Sequence, residues 1–379
     1  MTGRIVLFGA TGYTGRITAE AMVRAGMAPV LSGRSGDRLT ALADELSPLA
    51  PDAAALPRTQ VADVDDPASV RALLEGPDDV LVTTVGPFAS LGEPAVSAAV
   101  DAGAAYVDST GEPPFVRAVF ERWGPRAEQS GARLLTAFGY DYVPGNLAGA
   151  LALRAARDGG TPAARVDVGY FTRGGLGISG GTRASSAAIV LADSFAYRAG
   201  TLVDDRIGSR VRGFDVGDGV WWDGLSVGGS EHLALPRLDP ALTDVGVYLG
   251  WAGRWTRAAS VGSGALSLVR RIPLAGRGIA AAARAAVGPG SSGGPTAEER
   301  AAGVTVAVAS AYDGVGRLLA ATRVEGPSPY DLTGDLLAWS AAMLRVRAES
   351  GPGALGPADA FGLDALVQGC ADLGLVQVA

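Results

Sequence analysis

The sequence predicts an α/β fold: a doubly wound parallel sheet in the first part, then a second, α+β domain with a mostly antiparallel sheet. Three observations carry this expectation. Short apolar runs alternate with helically spaced stretches over residues 5–143, joined by short links. The first run, Ile5-Val6-Leu7-Phe8, passes straight into a glycine-spaced turn and then a helix. From residue 163 the pattern changes to alternating segments punctuated by glycine.

The turn is Gly9-Ala10-Thr11-Gly12-Tyr13-Thr14-Gly15, and Ile17, Ala21, Met22 and Ala25 follow at helical spacing. Strand, glycine turn and helix open a dinucleotide-binding βαβ unit of the Rossmann type. Gly9 lets the chain turn tightly, Gly12 lets backbone approach a pyrophosphate, and Gly15 lets the helix pack close to the sheet. The helix N-terminus then offers N–H groups to the anion. Gly9, Thr11, Gly12, Tyr13, Thr14 and Gly15 are therefore candidate cofactor contacts. A glycine triplet is weak evidence in a chain with 55 glycines, and a plain strand–helix turn is the alternative. Its place between a strand and a helix gives it weight.

The second strand, Pro29-Val30-Leu31-Ser32, runs into Gly33-Arg34-Ser35, with Arg38 one turn later. An NAD site places a carboxylate here for the ribose 2′-OH, whereas an NADP site needs a cation and small polar groups for the 2′-phosphate. Ser32 and Arg34 point to NADP(H); a solvated surface arginine is the other reading. Residues 37–46 read as a helix and Arg58-Thr59-Gln60-Val61 as a third strand. Asp63 after it either meets the adenine edge or caps the helix at 66–74. Asp79-Val80-Leu81-Val82-Thr83-Thr84-Val85 is the central parallel strand. It closes in Gly86-Pro87-Phe88, so Val85, Gly86, Pro87 and Phe88 are placed against the cofactor ribose and nicotinamide. A helix at 93–102, a strand Ala105-Tyr106-Val107-Asp108, a helix at 115–130 and a strand at 133–138 follow. That last strand ends in Gly139-Tyr140-Asp141-Tyr142-Val143-Pro144. Strand-end clusters in such sheets converge on one crevice.

Residues 1–142 thus form the cofactor domain, and 143–326 a substrate or oligomerisation domain. Within it Arg165-Val166-Asp167-Val168-Gly169-Tyr170-Phe171 alternates as a strand, Gly180-Gly181-Thr182-Arg183 leads a helical run over 184–197, and Trp221-Trp222 lies in a β-like piece. The runs at 303–309 and 318–324 read as a hairpin turning through Tyr312-Asp313-Gly314-Val315-Gly316. Residues 327–379 are read as helices packing back on the first domain. Segment 251–295 stands apart as a lid-like stretch: over 251–287, Trp251, Trp255, Leu266, Val269 and Ile279 alternate with Arg254, Arg257, Arg270 and Arg277. Such a stretch suits a membrane surface, an acyl chain, an acidic carrier protein, or a plain helical cover.

Composition narrows the chemistry. The chain has 379 residues, a formal charge of −7 and 48% hydrophobic residues, which fits a globular protein and argues against a general nucleic-acid binder. It contains no lysine, one cysteine and one histidine, His232. Schiff-base chemistry, Tyr-x-x-x-Lys reductases, two-histidine hydrolases, zinc clusters and internal disulfides are excluded, and no metal site is expected. The cysteine usage and the lack of a leader pattern fit a cytoplasmic protein. His232 falls in a β-like region and reads as structural rather than catalytic.

Taken together, the glycine turn, Ser32-Gly33-Arg34, Val85-Gly86-Pro87-Phe88, Tyr106-Val107-Asp108-Ser109-Thr110-Gly111-Glu112 and Gly139-Tyr140-Asp141-Tyr142-Val143-Pro144 resemble saccharopine dehydrogenase-like oxidoreductases in order and spacing. The branch most resembled is that of the trans-acting enoyl reductases of polyketide-type lipid synthesis, which Gly180-Gly181-Thr182 and Pro295-Thr296-Ala297-Glu298-Glu299-Arg300 also match. The resemblance implies an NADP-binding Rossmann domain, a split substrate domain and hydride transfer to a conjugated C=C or a C=N. The sequence departs from the family pattern Gly-Phe-Asp-Ser-x-Pro-Ser-Asp: Tyr140 and Tyr142 replace Phe and Ser, and Gly145-Asn146 replaces Ser-Asp.

With a nicotinamide as hydride source the protein must position the acceptor, stabilise the anion and supply a proton. Arg183 is a candidate for the anion. Tyr140 or Tyr142 is a candidate donor with Asp141 orienting it. Packing for each tyrosine, and helix capping for Asp141, are the structural alternatives. Glu112 either meets a substrate amine or caps. Three function classes stay open: an NADPH-dependent reductase of enoyl or polyketide acyl groups on a small molecule or carrier, an imine or amino-acid reductase, and a non-catalytic NADP sensor. A homodimer through sheet or helix contacts is compatible with the second domain.

Overall fold

The computed structural model describes residues 3–174, 193–250, 253–270, 293–346 and 350–378. The chain divides into two compact units, Met1–Asp141 with Pro329–Leu373, and Tyr142–Ser328 with Gly374–Ala379.

The first unit holds strands β1 (Ile5–Phe8), β2 (Val30–Gly33), β3 (Arg58–Val61), β4 (Val80–Thr83), β5 (Ala105–Asp108) and β6 (Arg133–Leu135). Every pairing is parallel, in the order β6-β5-β4-β1-β2-β3, and a two-residue strand, Gly353–Ala354, extends the β6 edge. β1, β2, β4 and β5 are buried along their whole length, as continuous apolar runs require. β3 lies at the sheet edge and is largely exposed. Strand order reverses between β1 and β4, which makes their carboxyl ends the switch point where such sheets bind ligands. The helix Pro329–Val346 packs on the helix Tyr13–Arg24 and reaches β4 and β5. Its Gly334 is required there, because a Cβ would stand 2.7 Å from Ile17.

Residues 115–130 are helical as expected, within a run from Pro113 to Ser130 in which a π-helical turn, Val119–Trp123, joins Pro113–Ala118 to Gly124–Ser130. One expectation for this unit needs correction. The sixth strand stops at Leu135, because Ala137 turns to a φ of 58°. That turn lets its N–H reach Asp108.

The second unit is a mixed sheet built from β7 (Arg165–Arg173), β8 (Ser194–Arg198), β9 (Thr201–Asp205), β10 (Val211–Asp215), β11 (Trp221–Ser226), β12 (Asp244–Leu249), β13 (Val304–Tyr312) and β14 (Leu318–Gly326). The main path runs β10-β11-β12-β7-β13-β14, and β8 with β9 joins at β12. Only the β12–β7 pair is parallel among the described strands. The predicted hairpin is β13–β14, whose Asp313 carboxylate accepts the N–H groups of Val315 and Arg317 at the turn. The helix Val143–Asp158 packs on β7, β13 and β14. Phe171, Phe214, Val216, Tyr248, Val306 and Val308 form an apolar cluster.

Three corrections apply here. The helical run expected over 184–197 cannot extend to Tyr197, since Ser194–Arg198 is a strand pairing with β9 and β12; residues 175–192 lie outside the described part. His232 belongs to a helix, Glu231–Leu238, not to a β segment. Residues 327–379 do not all return to the first unit: the strand Val376–Val378 pairs antiparallel with β14.

Candidate functional site

The glycine turn is fixed by close approach. Gly9 has a φ of 90°, and a Cβ on it would lie 2.8 Å from both the Thr84 hydroxyl and the Val85 side chain. A Cβ on Gly15 would lie 2.1 Å from the Gly9 carbonyl oxygen, so this glycine serves packing of the helix against the turn itself rather than against the sheet. A Cβ on Gly12 would meet only the Gly9 carbonyl, at 3.2 Å, and would otherwise occupy the open cradle. Gly12 is also the N-cap of Tyr13–Arg24, with no side chain capping that end. The Ser32 carbonyl accepts the N–H groups of Gly9 and Ala10, at 2.9 and 3.1 Å. The Thr84 hydroxyl donates to the Gly9 carbonyl at 3.2 Å. β1, β2 and β4 therefore deliver the turn, Ser32 and Val85 to one place. The Tyr13 ring stands edge-on to Tyr330 with centroids 5.1 Å apart, a contact 317 residues away in sequence and without a local signal.

At the end of β2, Ser32 is buried and its hydroxyl meets no partner among the described residues. Arg34 is exposed. Ser35 caps the helix Gly36–Leu46, and the Arg38 guanidinium donates to the Thr11 carbonyl at 3.1 Å, tying that helix to the turn. Asp63 shapes the turn before the helix Pro67–Arg71, whose N-cap position is Asp66: its carboxylate accepts the Asp65 N–H at 3.1 Å, and its own N–H donates to Ser69.

Beyond β4, Gly86 is exposed, the Gly86–Pro87 peptide is cis, and Phe88 is buried against Phe115. Phe88 therefore belongs to the core rather than to a ribose-facing surface. Glu112 is buried and clamps the start of Phe88–Leu91, its two oxygens accepting the Phe88 and Ala89 N–H groups, both at 2.9 Å. Of the two readings of Glu112, the geometry selects capping. Asp108 organises the ends of β5 and β6: its carboxylate accepts from Thr110 N–H, Ala137 N–H and the Thr136 hydroxyl. Burial pushes its pKa up to about 6 against the lowering effect of these bonds.

Asp141 ends the first unit. Its Oδ1 is shielded from solvent and meets no hydrogen-bond donor among the described residues, although the residue as a whole is only part-buried. Gly111 leaves room for it: a Cβ there would lie 2.7 Å from Asp141 Oδ2. Burial pushes the Asp141 pKa up to about 7. Tyr140 is buried, and its N–H donates to the Thr333 hydroxyl at 3.0 Å.

Tyr142 opens the second unit and is part of its core. Its hydroxyl donates to the Gly228 carbonyl at 3.1 Å, and its carbonyl accepts from Asn146 Nδ2 and from the Tyr170 hydroxyl, both at 2.9 Å. The Tyr170 hydroxyl also bonds to the fully buried Glu231 and accepts the Gly145 N–H. Asn146 reaches Ser230 as well. For Tyr142 the structure thus selects packing with the hydroxyl bonded to backbone. Nothing in the sequence announced this network, since Glu231 lies 61 residues from Tyr170.

His232 is buried, edge-on to Phe195, and its Nδ1 lies 3.1 Å from Gly229 N. Burial pushes its pKa down to about 4. It lines a small crevice of about 20 Å³ with Arg198, Asp205, Arg210 and Tyr248, where Arg198 and Asp205 are already ion-paired. Arg183 and Gly180-Gly181-Thr182 lie outside the described residues. Among the described residues no group of three His, Cys, Asp or Glu side chains is arranged to hold a metal, and no helix is long and apolar enough to cross a membrane.

Comparison with known proteins follows the same lines. A trans-acting enoyl reductase of Mycobacterium ulcerans is 33% identical over 262 residues, covering 63% of this chain and 62% of the relative. A protein of Mycobacterium tuberculosis carrying the same name is 39% identical over 184 residues, 48% of this chain and 42% of its own length. The chain is thus similar in sequence to trans-acting enoyl reductases. It spans less than two thirds of the length of the relatives it matches. No protein-family model matches the sequence. The saccharopine dehydrogenase (L-Glu forming) of Saccharomyces cerevisiae superposes over the whole of both chains with a TM-score of 0.59 at 13% identity. The chain therefore has the saccharopine dehydrogenase fold.

Proposed function

We propose that this chain is an NADPH-dependent oxidoreductase that reduces the conjugated C=C of an enoyl acyl group, small-molecule or carrier-bound. The observation that carries the reading is the convergence of an uncapped helix N-terminus, the Gly12 cradle and the orphaned Ser32 hydroxyl at the switch point of a parallel sheet. The residues fit a dinucleotide with a 2′-phosphate. No carboxylate ends β2, Arg34 stands exposed there, and Ser35 and Arg38 follow within a turn. The mycobacterial enoyl reductase relatives support the C=C assignment.

When bound, the nicotinamide would supply a hydride to the β-carbon of the enoyl group. The chain's own residues then have two tasks. Negative charge gathers on the acyl oxygen, and Arg183 is assigned to meet it. The α-carbon needs a proton, and Asp141 is assigned to hold it. A carboxyl kept protonated to about 7 by burial, with one oxygen free of donors, is suited to give up a proton near neutral pH. Tyr142 is set aside because its hydroxyl serves the Gly228 carbonyl.

The test is oxidation of NADPH by the purified protein, with enoyl thioesters in one arm, 2-oxo acid plus amine in another, and NADH as the control. Turnover with the thioesters and a preference for NADPH are expected. Turnover only with the oxo acid and amine would move the chemistry to C=N. Binding of NADPH without turnover of either would favour a sensor.

A further inference from the structure

Two arginines of the second unit share one carboxylate oxygen. Asp167 in β7 is buried, with 4% of its side chain exposed. Its Oδ2 faces the Nε of Arg165 at 3.2 Å and the Nε of Arg212, from β10, at 3.0 Å. Both guanidiniums also stand over the ring of Tyr312, at 4.4 and 4.9 Å from its centroid. The strands explain why these groups meet. Arg165 and Asp167 lie on one face of β7, and Tyr312 of β13 is in register with Arg165. Gly246 of β12 is in register with Asp167, and a Cβ there would stand 2.5 Å from Asp167 Oδ1, so this glycine makes room for the carboxylate.

An arginine meets a carboxylate most fully through a fork of two parallel N–H groups. Here each arginine turns only its Nε to Asp167, and the side chains of Arg165 and Arg212 stay 37% and 29% exposed. Beyond Asp167, Arg212 reaches Tyr312, and Arg165 donates to no other acceptor among the described residues. Arg206 and Arg210 line the same crevice as Arg165 and Asp167. Arg206 donates to the Gly208 and Ser260 carbonyls and meets no carboxylate with its guanidinium among the described residues. Arg210 is exposed, and its guanidinium has no acceptor among the described residues. The acids do not balance this set. Asp205 is ion-paired with Arg198, and Asp244, in register with Arg165, accepts the Thr243 hydroxyl at 2.9 Å. Five arginines thus stand against three aspartates, an excess of two positive charges in a chain of formal charge −7. The Tyr248 hydroxyl also lines the crevice, and burial pushes its pKa up to about 12, so it keeps its proton as a donor.

We propose that Arg165, Arg212 and Arg210 bind a phosphate dianion across their outward N–H groups. Asp167 and Tyr312 hold two of the guanidiniums in place before the ligand arrives, so little side-chain order is lost on binding. Two negative charges match the excess, and tetrahedral oxygens meet donors that come from separate strands. Free phosphate and the 3′-phosphate of coenzyme A are the two sources of such a group; only the second rests on the enoyl reading. No arginine of the basic stretch 251–287 is used, and residues 251–252 and 271–292 are outside the described part.

The experiment is isothermal titration of the full chain with inorganic phosphate at fixed ionic strength, with acetate as the monoanionic control. Arg34→Ala serves as the control for the nucleotide turn and should bind phosphate as the wild type does. Acetate should bind about tenfold more weakly or worse. Arg212→Met leaves Asp167 paired with Arg165 and should weaken phosphate binding by about tenfold or more. Arg210→Ala removes an exposed side chain with no bond to lose from its guanidinium, and should weaken it by about threefold or more. Binding lost in Arg34→Ala and kept in Arg212→Met would put the anion at the nucleotide turn and overturn the proposal. So would phosphate bound no better than acetate, or wild-type affinity in both Arg212→Met and Arg210→Ala. A parallel arm compares coenzyme A with dephospho-coenzyme A. A preference of about tenfold for coenzyme A that Arg212→Met abolishes assigns the phosphate to an acyl carrier, whereas equal binding of the two, with inorganic phosphate still bound, assigns it to free phosphate.

Discussion

Replacing Asp141 by Asn should stabilise the chain, and more so the higher the pH. The folded carboxyl keeps its proton to about 7, whereas a free aspartate loses it at 3.8. Below 3.8 the folded and unfolded chains both carry the proton, and the carboxyl imposes no cost. Between 3.8 and about 7 only the unfolded chain releases it, so stability falls as pH rises, and above about 7 the full cost is present. At about 1.4 kcal/mol per pKa unit the gap is worth about 4 kcal/mol, an upper bound. From about pH 5 to pH 8.5 the advantage of the Asn variant should grow by about 2–3 kcal/mol, or about 5–10 °C in Tm for a unit of this size. The assay is thermal unfolding of wild type and variant across that range. A difference in Tm that does not change with pH, or a variant less stable at the alkaline end, would refute the argument from burial. The same variant should lose turnover, because an amide has no proton of suitable acidity to give.

Arg34→Ala should raise the KM for NADPH by about tenfold to a hundredfold and leave that for NADH nearly unchanged, as one charge-assisted phosphate contact requires; steady-state kinetics with both cofactors reads this. Gly15→Ala drives a methyl to 2.1 Å from the Gly9 carbonyl. It should cost about 1–3 kcal/mol and weaken cofactor binding, seen as a lower Tm and a weaker Kd by fluorescence titration. Tyr170→Phe leaves the buried Gly145 N–H without its acceptor and should cost about 1–3 kcal/mol by denaturant unfolding. His232 is neutral in the folded chain down to about 4. Because the unfolded chain takes up a proton from about 6.5, stability should fall as pH drops through this window, and the imidazole NMR resonances should show no titration above about pH 5.

What could be read from the sequence is what is written locally. β1, the glycine turn and the helix after it lie within twenty residues, and each signal concerns its neighbours. The β13–β14 hairpin was legible for the same reason: alternation on both sides of a turn fixes the pairing. The roles of Glu112 and Tyr142 were left as alternatives because the groups that decide them, the Phe88 and Ala89 N–H groups and the Gly228 carbonyl, are remote in sequence. Gly15 was expected to meet the sheet and instead meets the turn, a difference of direction that spacing does not encode. The inward-facing hydroxyls of Ser260 and Ser263 were hidden in a different way: they are recognisable only once the Gly208 and Ile207 carbonyls that accept them are in place.

The strand Val376–Val378 and the helix Pro329–Val346 together mean that the polypeptide passes from one unit to the other three times, after Asp141, after Ser328 and after Leu373. Neither unit is a continuous stretch of chain. While the protein is being synthesised, the parallel sheet is laid down early, but the helix that covers β4 and β5 emerges roughly two hundred residues later. Until then Ile17 and the inner surfaces of β4 and β5 lack their cover. A gene fragment cut cleanly after residue 141 would therefore make an unsealed sheet, and the smallest self-sufficient first unit is one in which 329–373 is joined to 141 by a linker.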